Sequence, residues 1–232
     1  MRLTWFRDGS CHIQNYRISL THNLIGIVLI GGQSSRMGKD KSQLTVSSSI
    51  LRHNSLSAAT SAEGRTVHND REQMTFTELA HSKLKCYVDE VYYSINKNQE
   101  NLSLENTILD EHDEEGPVSG IISALRATQK SIVVLGVDMP LVTKQSIKNL
   151  IKHRNCDLLT TTYYNANSNK WEPMLSIWEI ETLPCLEEYF DNGGRSIQTF
   201  LNQFGNQRVQ ITNEHEFTNV NTAEDLQNIS IK

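Results

Sequence analysis

Nowhere does the chain carry the ~18 consecutive apolar residues of a membrane span, and its first 23 residues, "MRLTWFRDGSCHIQNYRISLTHN", hold no apolar core of a secretion signal. It has little cysteine: Cys11, Cys86, Cys156 and Cys185 lie far apart with no CxxC pair. The eight histidines show neither HxxxH nor HExxH spacing. Zinc chemistry and a disulfide framework are therefore poorly supported, and the thiols are expected to be reduced in a cytoplasmic protein. Positive charge is not in excess either. The net charge of -5 and pI of about 5.9 argue against a nucleic-acid partner, which needs a basic face.

What is present is 232 residues, 38% hydrophobic and 21% charged, enough for one α/β domain with a real core. Short β-branched apolar runs bounded by turn residues predict buried parallel strands at Ile25–Ile30, Glu90–Ile95, Ile132–Val137 and Leu158–Thr162. Helical spacing predicts helices over Met74–Leu84, Val118–Ala127, Lys144–His153 and Thr222–Ile229. Pro117 suits a first turn, and Thr143 and Thr222 suit N-caps. The alternation implies a single three-layer, doubly wound, mostly parallel sheet. Residues 1–23 read as an N-terminal extension with a strand around His12–Leu20. The domain then spans 24–232, with a polar, serine-rich surface insertion at about 46–70.

The chemistry concentrates in "LIGGQSSRMGKDK", Leu29 to Lys41. A strand ending at Ile30 delivers Gly31 and Gly32, whose amides can approach phosphate oxygens closely. Arg36, Lys39 and Lys41 can surround a polyphosphate, the arginine as a fork and the lysines as point charges. It is neither common phosphate loop. Gly32 and Gly38 enclose five residues instead of four, Asp40 follows Lys39, and GxGxxG is absent. On these residues alone a solvent-exposed basic turn remains an equal reading.

The full string resembles LxGGxSxRMGxDK, the signature loop of the molybdenum cofactor guanylyltransferases (MobA-like nucleotidyltransferases). The match runs through Leu29, Gly31, Gly32, Ser34, Arg36, Met37, Gly38, Asp40 and Lys41, and the resemblance as a whole covers roughly Leu24 to Asn228. The double glycine favours the guanylyl branch over cytidylyltransferases. Later segments agree in order. "VYYSIN" ends at Asn96, "DEHDEEGPVSGI" opens at Asp110, "IVVLGVDMP" delivers Asp138, and "FTNVNTAEDL" holds Asn219 and Asn221, with Ala223 where the family has proline. Each has a plainer reading beside it: Asn96 as a turn residue, Asp138 as a helix cap, Thr222 as the cap of the last helix, Arg195 in "NGGRSIQTFL" as a surface charge.

The resemblance implies a Rossmann-like nucleotidyltransferase fold and transfer of GMP from GTP to the phosphate of molybdopterin or Mo-molybdopterin, releasing pyrophosphate. It implies a GTP site of Leu29, Ile30, Gly31, Gly32, Arg36, Lys41, Asn96, Asp110 and Asp138. Arg36, Lys41 and Asp138 would be catalytic, with Asp138 the ligand of Mg²⁺. Arg195, Asn219 and Asn221 would meet molybdopterin, and molybdoenzyme apoproteins with their chaperones would receive the product. A cytidylyltransferase or sugar-phosphate nucleotidyltransferase is the alternative within the superfamily. A non-catalytic nucleotide-binding scaffold is the alternative outside it.

Overall fold

A computed structural model of the chain describes residues 24–30, 74–112 and 116–221, with the short pieces 4–5, 11–12, 45–46 and residue 225. Seven strands form the central sheet: β1 (Leu24–Leu29), β2 (Val91–Ile95), β3 (Thr107–Leu109), β4 (Ser131–Gly136), β5 (Thr160–Asn165), β6 (Lys170–Trp178) and β7 (Asn206–Gln210). Their order is β7-β5-β6-β4-β1-β2-β3. All neighbours run parallel except at β6, which is antiparallel to both β4 and β5. Central β1 and β4 are buried at every residue, as expected of strands covered on both faces.

Helices α1 (Phe76–Leu84) and α3 (Lys144–Lys152) cover one face of the sheet, and α2 (Pro117–Thr128), α4 (Leu183–Asp191) and α5 (Ile197–Gln203) the other. Phe76, Leu79, Leu84, Ile147 and Leu150 meet Val133 and Leu135 in the first core. Val118, Ile121, Leu125, Leu186 and Phe200 meet Ile27, Val134 and Trp178 in the second. These are the three layers of a doubly wound α/β fold.

Local chemistry sets where the helices begin. The α1 helix starts at Phe76, two residues later than the periodicity predicts, because Thr75 is its cap. The Glu78 amide donates to Thr75 Oγ1 at 3.2 Å, and the Thr75 amide donates back to the Glu78 carboxylate at 2.8 Å. Thr143 caps α3 as predicted, accepting from the Ser146 amide at 3.1 Å. Gly116 precedes α2 at φ 86°, ψ -171°, a region open essentially to glycine, with Pro117 opening the first turn.

The predicted strand Leu158–Thr162 is displaced to Thr160–Asn165. The Leu158 amide turns back onto Asn155 O, and the two tyrosines then continue the ladder between β6 and β7. In β6, Pro173 sits where the register shifts between Glu172 and Ser176, a bulge that tolerates its missing amide.

Two short ladders lie outside the main sheet. Thr4–Trp5 pairs with Cys11–His12, and Thr45–Val46 with Met74–Thr75. The rest of the extension, the interior of the 46–70 insertion and the helix predicted over Thr222–Ile229, apart from a helical Asp225, lie outside the described residues.

The chain is also clamped at the start of β4. The Arg154 guanidinium donates twice to the Glu179 carboxylate, at 2.7 and 2.6 Å, and Ser131 Oγ donates to it at 2.7 Å. Both charges are buried, so the two-pronged bond and the added hydroxyl offset their desolvation.

Candidate functional site

Strands β3, β2, β1 and β4 all run the same way, so their carboxyl ends form one edge, and the predicted site residues leave the sheet along it. The residue after β3 is Asp110 and the residue after β2 is Asn96. β1 continues through Ile30, whose amide donates to Ser94 O at 3.1 Å. Asp138 follows β4 by two residues. The Val137 amide donates to Leu29 O at 3.2 Å, so the end of β1 at Ile30 lies one strand spacing, about 4.8 Å, from the segment that carries Asp138. Gly31, Gly32, Arg36 and Lys41 themselves lie outside the described residues.

The Asp138 carboxylate folds back over the end of its own strand: Oδ1 lies 2.6 Å from where a Cβ on Gly136 would stand, and Met174 Cβ of β6 lies 3.1 Å from the same point. Glycine at this position therefore makes room for the acid. Asp138 O accepts from the Val220 amide at 2.7 Å. That bond brings the segment of Asn219 and Asn221 beside Asp138, and both asparagines are exposed. The Asn221 amide donates to the Asp225 carboxylate at 2.9 Å.

The Asp110 carboxylate is held by the start of α2. Ser119 Oγ donates to Oδ2 at 2.6 Å, while the His112 amide and Ser123 Oγ reach Oδ1 at 3.1 and 3.4 Å. Close approach is possible because Gly120 lacks a side chain. Its Cβ position is 2.9 Å from Ser94 Oγ, 3.5 Å from Leu29 Cδ2 and 3.8 Å from Asp110 Oδ2. Leu29, Ser94 and Asp110 thus converge on the first turn of α2. Next to them, Asn96 Oδ1 is buried with no hydrogen-bond partner among the described residues. A buried acceptor left unmatched costs ~1–3 kcal/mol, so a donor supplied by a ligand would be favoured there.

Arg195 packs at the end of α4 on Phe190, whose ring lies 4.8 Å from that of His112. Its guanidinium lies 3.7 Å over the Phe190 ring and donates to the Phe190 and Gly194 carbonyls at 2.6 and 3.0 Å, closing the end of α4.

Glu172 of β6, not singled out in the sequence, is a further acid within electrostatic reach of Asp138. Half-buried in β6, its carboxyl is raised above the usual carboxylate range by burial, opposed by Lys170 and reinforced by the charges of Asp138 and Glu214. Glu172 stands in "NKWEPMLSIW", an acid next to proline at the head of an apolar strand. The negative field of Asp138 and Glu172 suits a divalent cation. Among the described residues no three His, Cys, Asp or Glu gather to enclose one. A hard ion completing its shell with water and phosphate oxygens, as Mg²⁺ does, fits such a donor set.

Among the described residues no helix is long and apolar enough to cross a membrane.

The chain resembles known proteins over most of its length. It is 26% identical over 207 residues to a probable molybdenum cofactor guanylyltransferase of Aquifex aeolicus, covering 87% of this chain and 88% of that protein. It is 27% identical over 212 residues to a protein of the same description from Nostoc sp., covering 88% and 89%. Among solved structures, molybdopterin-guanine dinucleotide biosynthesis protein A of Archaeoglobus fulgidus superposes with a TM-score of 0.64 at 21% identity, over 88% of this chain and 96% of that one. The family described as the MobA-like NTP transferase domain matches residues 26–209. The chain belongs to that family of nucleotidyltransferases.

Proposed function

We propose that the protein is a molybdenum cofactor guanylyltransferase, transferring GMP from GTP to the terminal phosphate of molybdopterin and releasing pyrophosphate. The observation that carries the reading is the edge itself. Asp138 lies beside the strand that opens into "GGQSSRMGKDK", and the polar groups of Asp110 and Asn96 continue the same row. Relatives named as guanylyltransferases that align over nearly the whole chain support it.

An acceptor phosphate oxygen attacks the α-phosphorus of GTP. The new P–O bond forms as the α–β bridging bond breaks, and the electron pair leaves on pyrophosphate. A phosphate monoester is largely ionised at neutral pH, so no general base is needed. The barrier is the approach of two anions, and positioning with fixed positive charge lowers it. The amides of Gly31 and Gly32, with Arg36 and Lys41, would hold the triphosphate. Asp138 would hold Mg²⁺, which when bound neutralises charge on the α-phosphate and the leaving group.

Guanine would be read between Asp110 and Asn96. Three of the ~4 acceptor positions of the Asp110 carboxylate are already used by Ser119, Ser123 and the His112 amide. One remains for a guanine N–H, and the unpartnered Asn96 Oδ1 can accept a second. Adenine, which lacks the N1–H and N2 donors, would leave both unmatched. Molybdopterin would lie on the β6 side, toward Asn219 and Asn221.

Incubation with GTP, Mg²⁺ and molybdopterin tests the reading, with pyrophosphate and the dinucleotide as products and CTP and UTP as controls. Asp138→Ala should abolish turnover while the protein stays folded. Preference for CTP would move the chain to the cytidylyl branch, and no transfer from any nucleotide would favour a binding scaffold.

A further inference from the structure

Lys83, on α1, is 3% exposed. Its Nζ donates to Pro140 O at 2.7 Å. An uncharged side chain of similar length would fill this space without the cost of stripping an ammonium of water. Nearby charge does little to offset that cost. Glu216 attracts Lys83 and Lys144 repels it. The Glu216 carboxylate is already occupied at the start of α3, accepting from Thr143 Oγ1 at 3.0 Å, from Ser146 Oγ and from Asn213 Nδ2 at 3.2 Å.

The acceptor is what gives this burial a purpose. Pro140 lies two residues after Asp138, in a turn where the Met139 amide donates to Gly136 O at 3.2 Å and the Val142 amide to Met139 O at 3.3 Å. Proline has no amide to anchor this stretch, so its carbonyl is the backbone group left to do so. The C-terminal segment grips the same turn from the other side, through Val220 and Asp138 O. The α1 helix begins just after the Thr45–Val46/Met74–Thr75 ladder, downstream of the glycine-rich segment. Lys83 therefore ties an element that follows the loop after β1 to the turn after β4.

We propose that Lys83 is a positioning residue for nucleotidyl transfer: its bond to the Pro140 carbonyl sets the turn that aims the Asp138 carboxylate at the substrate. This rests on the reading of Asp138 given above. Lys83 touches no reacting atom in this account, and its burial sacrifices stability for placement.

The test compares Lys83→Met, Lys83→Gln and Asp138→Ala in the full chain by urea unfolding, Mn²⁺ binding in the presence of GTP by electron paramagnetic resonance, and kcat and KM for GTP. Lys83→Met should unfold at higher urea than the parent at pH 7.5. Its kcat should nevertheless fall about tenfold and its Mn²⁺ affinity about fivefold, with KM for GTP within about twofold. Lys83→Gln, which keeps an N–H donor without the charge, should regain part of the lost kcat. A purely structural lysine would not move stability and turnover in opposite directions. Lys83→Met with kcat and Mn²⁺ affinity within twofold of the parent, beside an inactive Asp138→Ala, overturns the role of Lys83 alone. So does a loss of turnover that only tracks a loss of folded protein. An active Asp138→Ala overturns both readings.

Discussion

Replacing Gly136 by alanine puts the smallest available obstacle against the group on which the site depends. The new Cβ would stand 2.6 Å from Asp138 Oδ1 and 3.1 Å from Met174 Cβ. Ordinary contact begins at 3.4 Å, so the carboxylate must retreat by about 0.8 Å or rotate away. Moving the end of a side chain costs the fold little, and the Met174 contact needs only a small adjustment. Overpacking of this kind costs ~1–3 kcal/mol, and alanine recovers ~0.5–1 kcal/mol from the lower entropy of the unfolded chain. The net loss should be about 0–2.5 kcal/mol, a fall in Tm of at most about 10 °C for a chain of this size. Function has no such slack, since a displacement near 1 Å at a reacting centre can cost about 100-fold. Gly136→Ala should therefore keep a cooperative melting transition while kcat/KM for pyrophosphate release drops by roughly two orders of magnitude, with a raised Mg²⁺ requirement. Asp138→Ala sets the floor. A Gly136→Ala protein with kcat/KM within threefold of the parent and an unchanged Mg²⁺ dependence would refute the placement of Asp138 at the reaction.

Burial pulls the Lys83 pKa from 10.5 to about 7. Between those values the unfolded chain holds a proton that the folded chain has released, so stability should rise with pH from 7 to about 10, by a ceiling of ~5 kcal/mol, and lose that gain as pH falls back through 7. Urea titrations of Lys83→Met should lack that rise, and equal slopes in both proteins would contradict the burial of the charge. Arg154→Met strands the Glu179 carboxylate and should cost ~3–5 kcal/mol in urea unfolding. Adding Glu179→Leu should recover more than half of it, and simple additivity of the two losses would mean the charges are not coupled. Gly116→Ala meets no atom within 4 Å, so its cost should be that of the backbone at φ 86° alone, ~1–3 kcal/mol by thermal melting. No change in Tm would show that the backbone there relaxes.

The parts of the fold legible in the sequence are those where burial on both faces leaves an unbroken apolar run. β1, β2 and β4 were predicted within a residue or so of their ends, and α3 was predicted with its cap. β3 is three residues long and too short to carry a period. β7, "NQRVQ", is a polar edge strand whose only fully buried side chain is Val209. The antiparallel course of β6 depends on pairing between distant segments, which local pattern does not encode. At the candidate site, Asp110, Asn96 and Asp138 were singled out by the resemblance of their motifs, and the structure places each just after a strand of the parallel part of the sheet. Glu172 and Lys83 were not singled out. A lysine between Ser82 and Leu84 looks like the solvated side of an amphipathic helix, and only the packing of α1 against the turn after β4 hides it. The stacking of Arg195 on Phe190 is a short-range arrangement that no motif encodes.

The pairing of Val46 with Met74 and of Thr45 with Thr75 gives the protein a natural splice point. Residues 47–73 depart and return at adjacent backbone positions, so cutting them out and joining the ends through a tight hairpin need not disturb the seven-stranded sheet. Shortening the tether to about four residues would even reduce the entropy lost on closing it, by about 2 kcal/mol. The ladder thus marks where the sequence between Val46 and Met74 can change in length while its two ends stay paired.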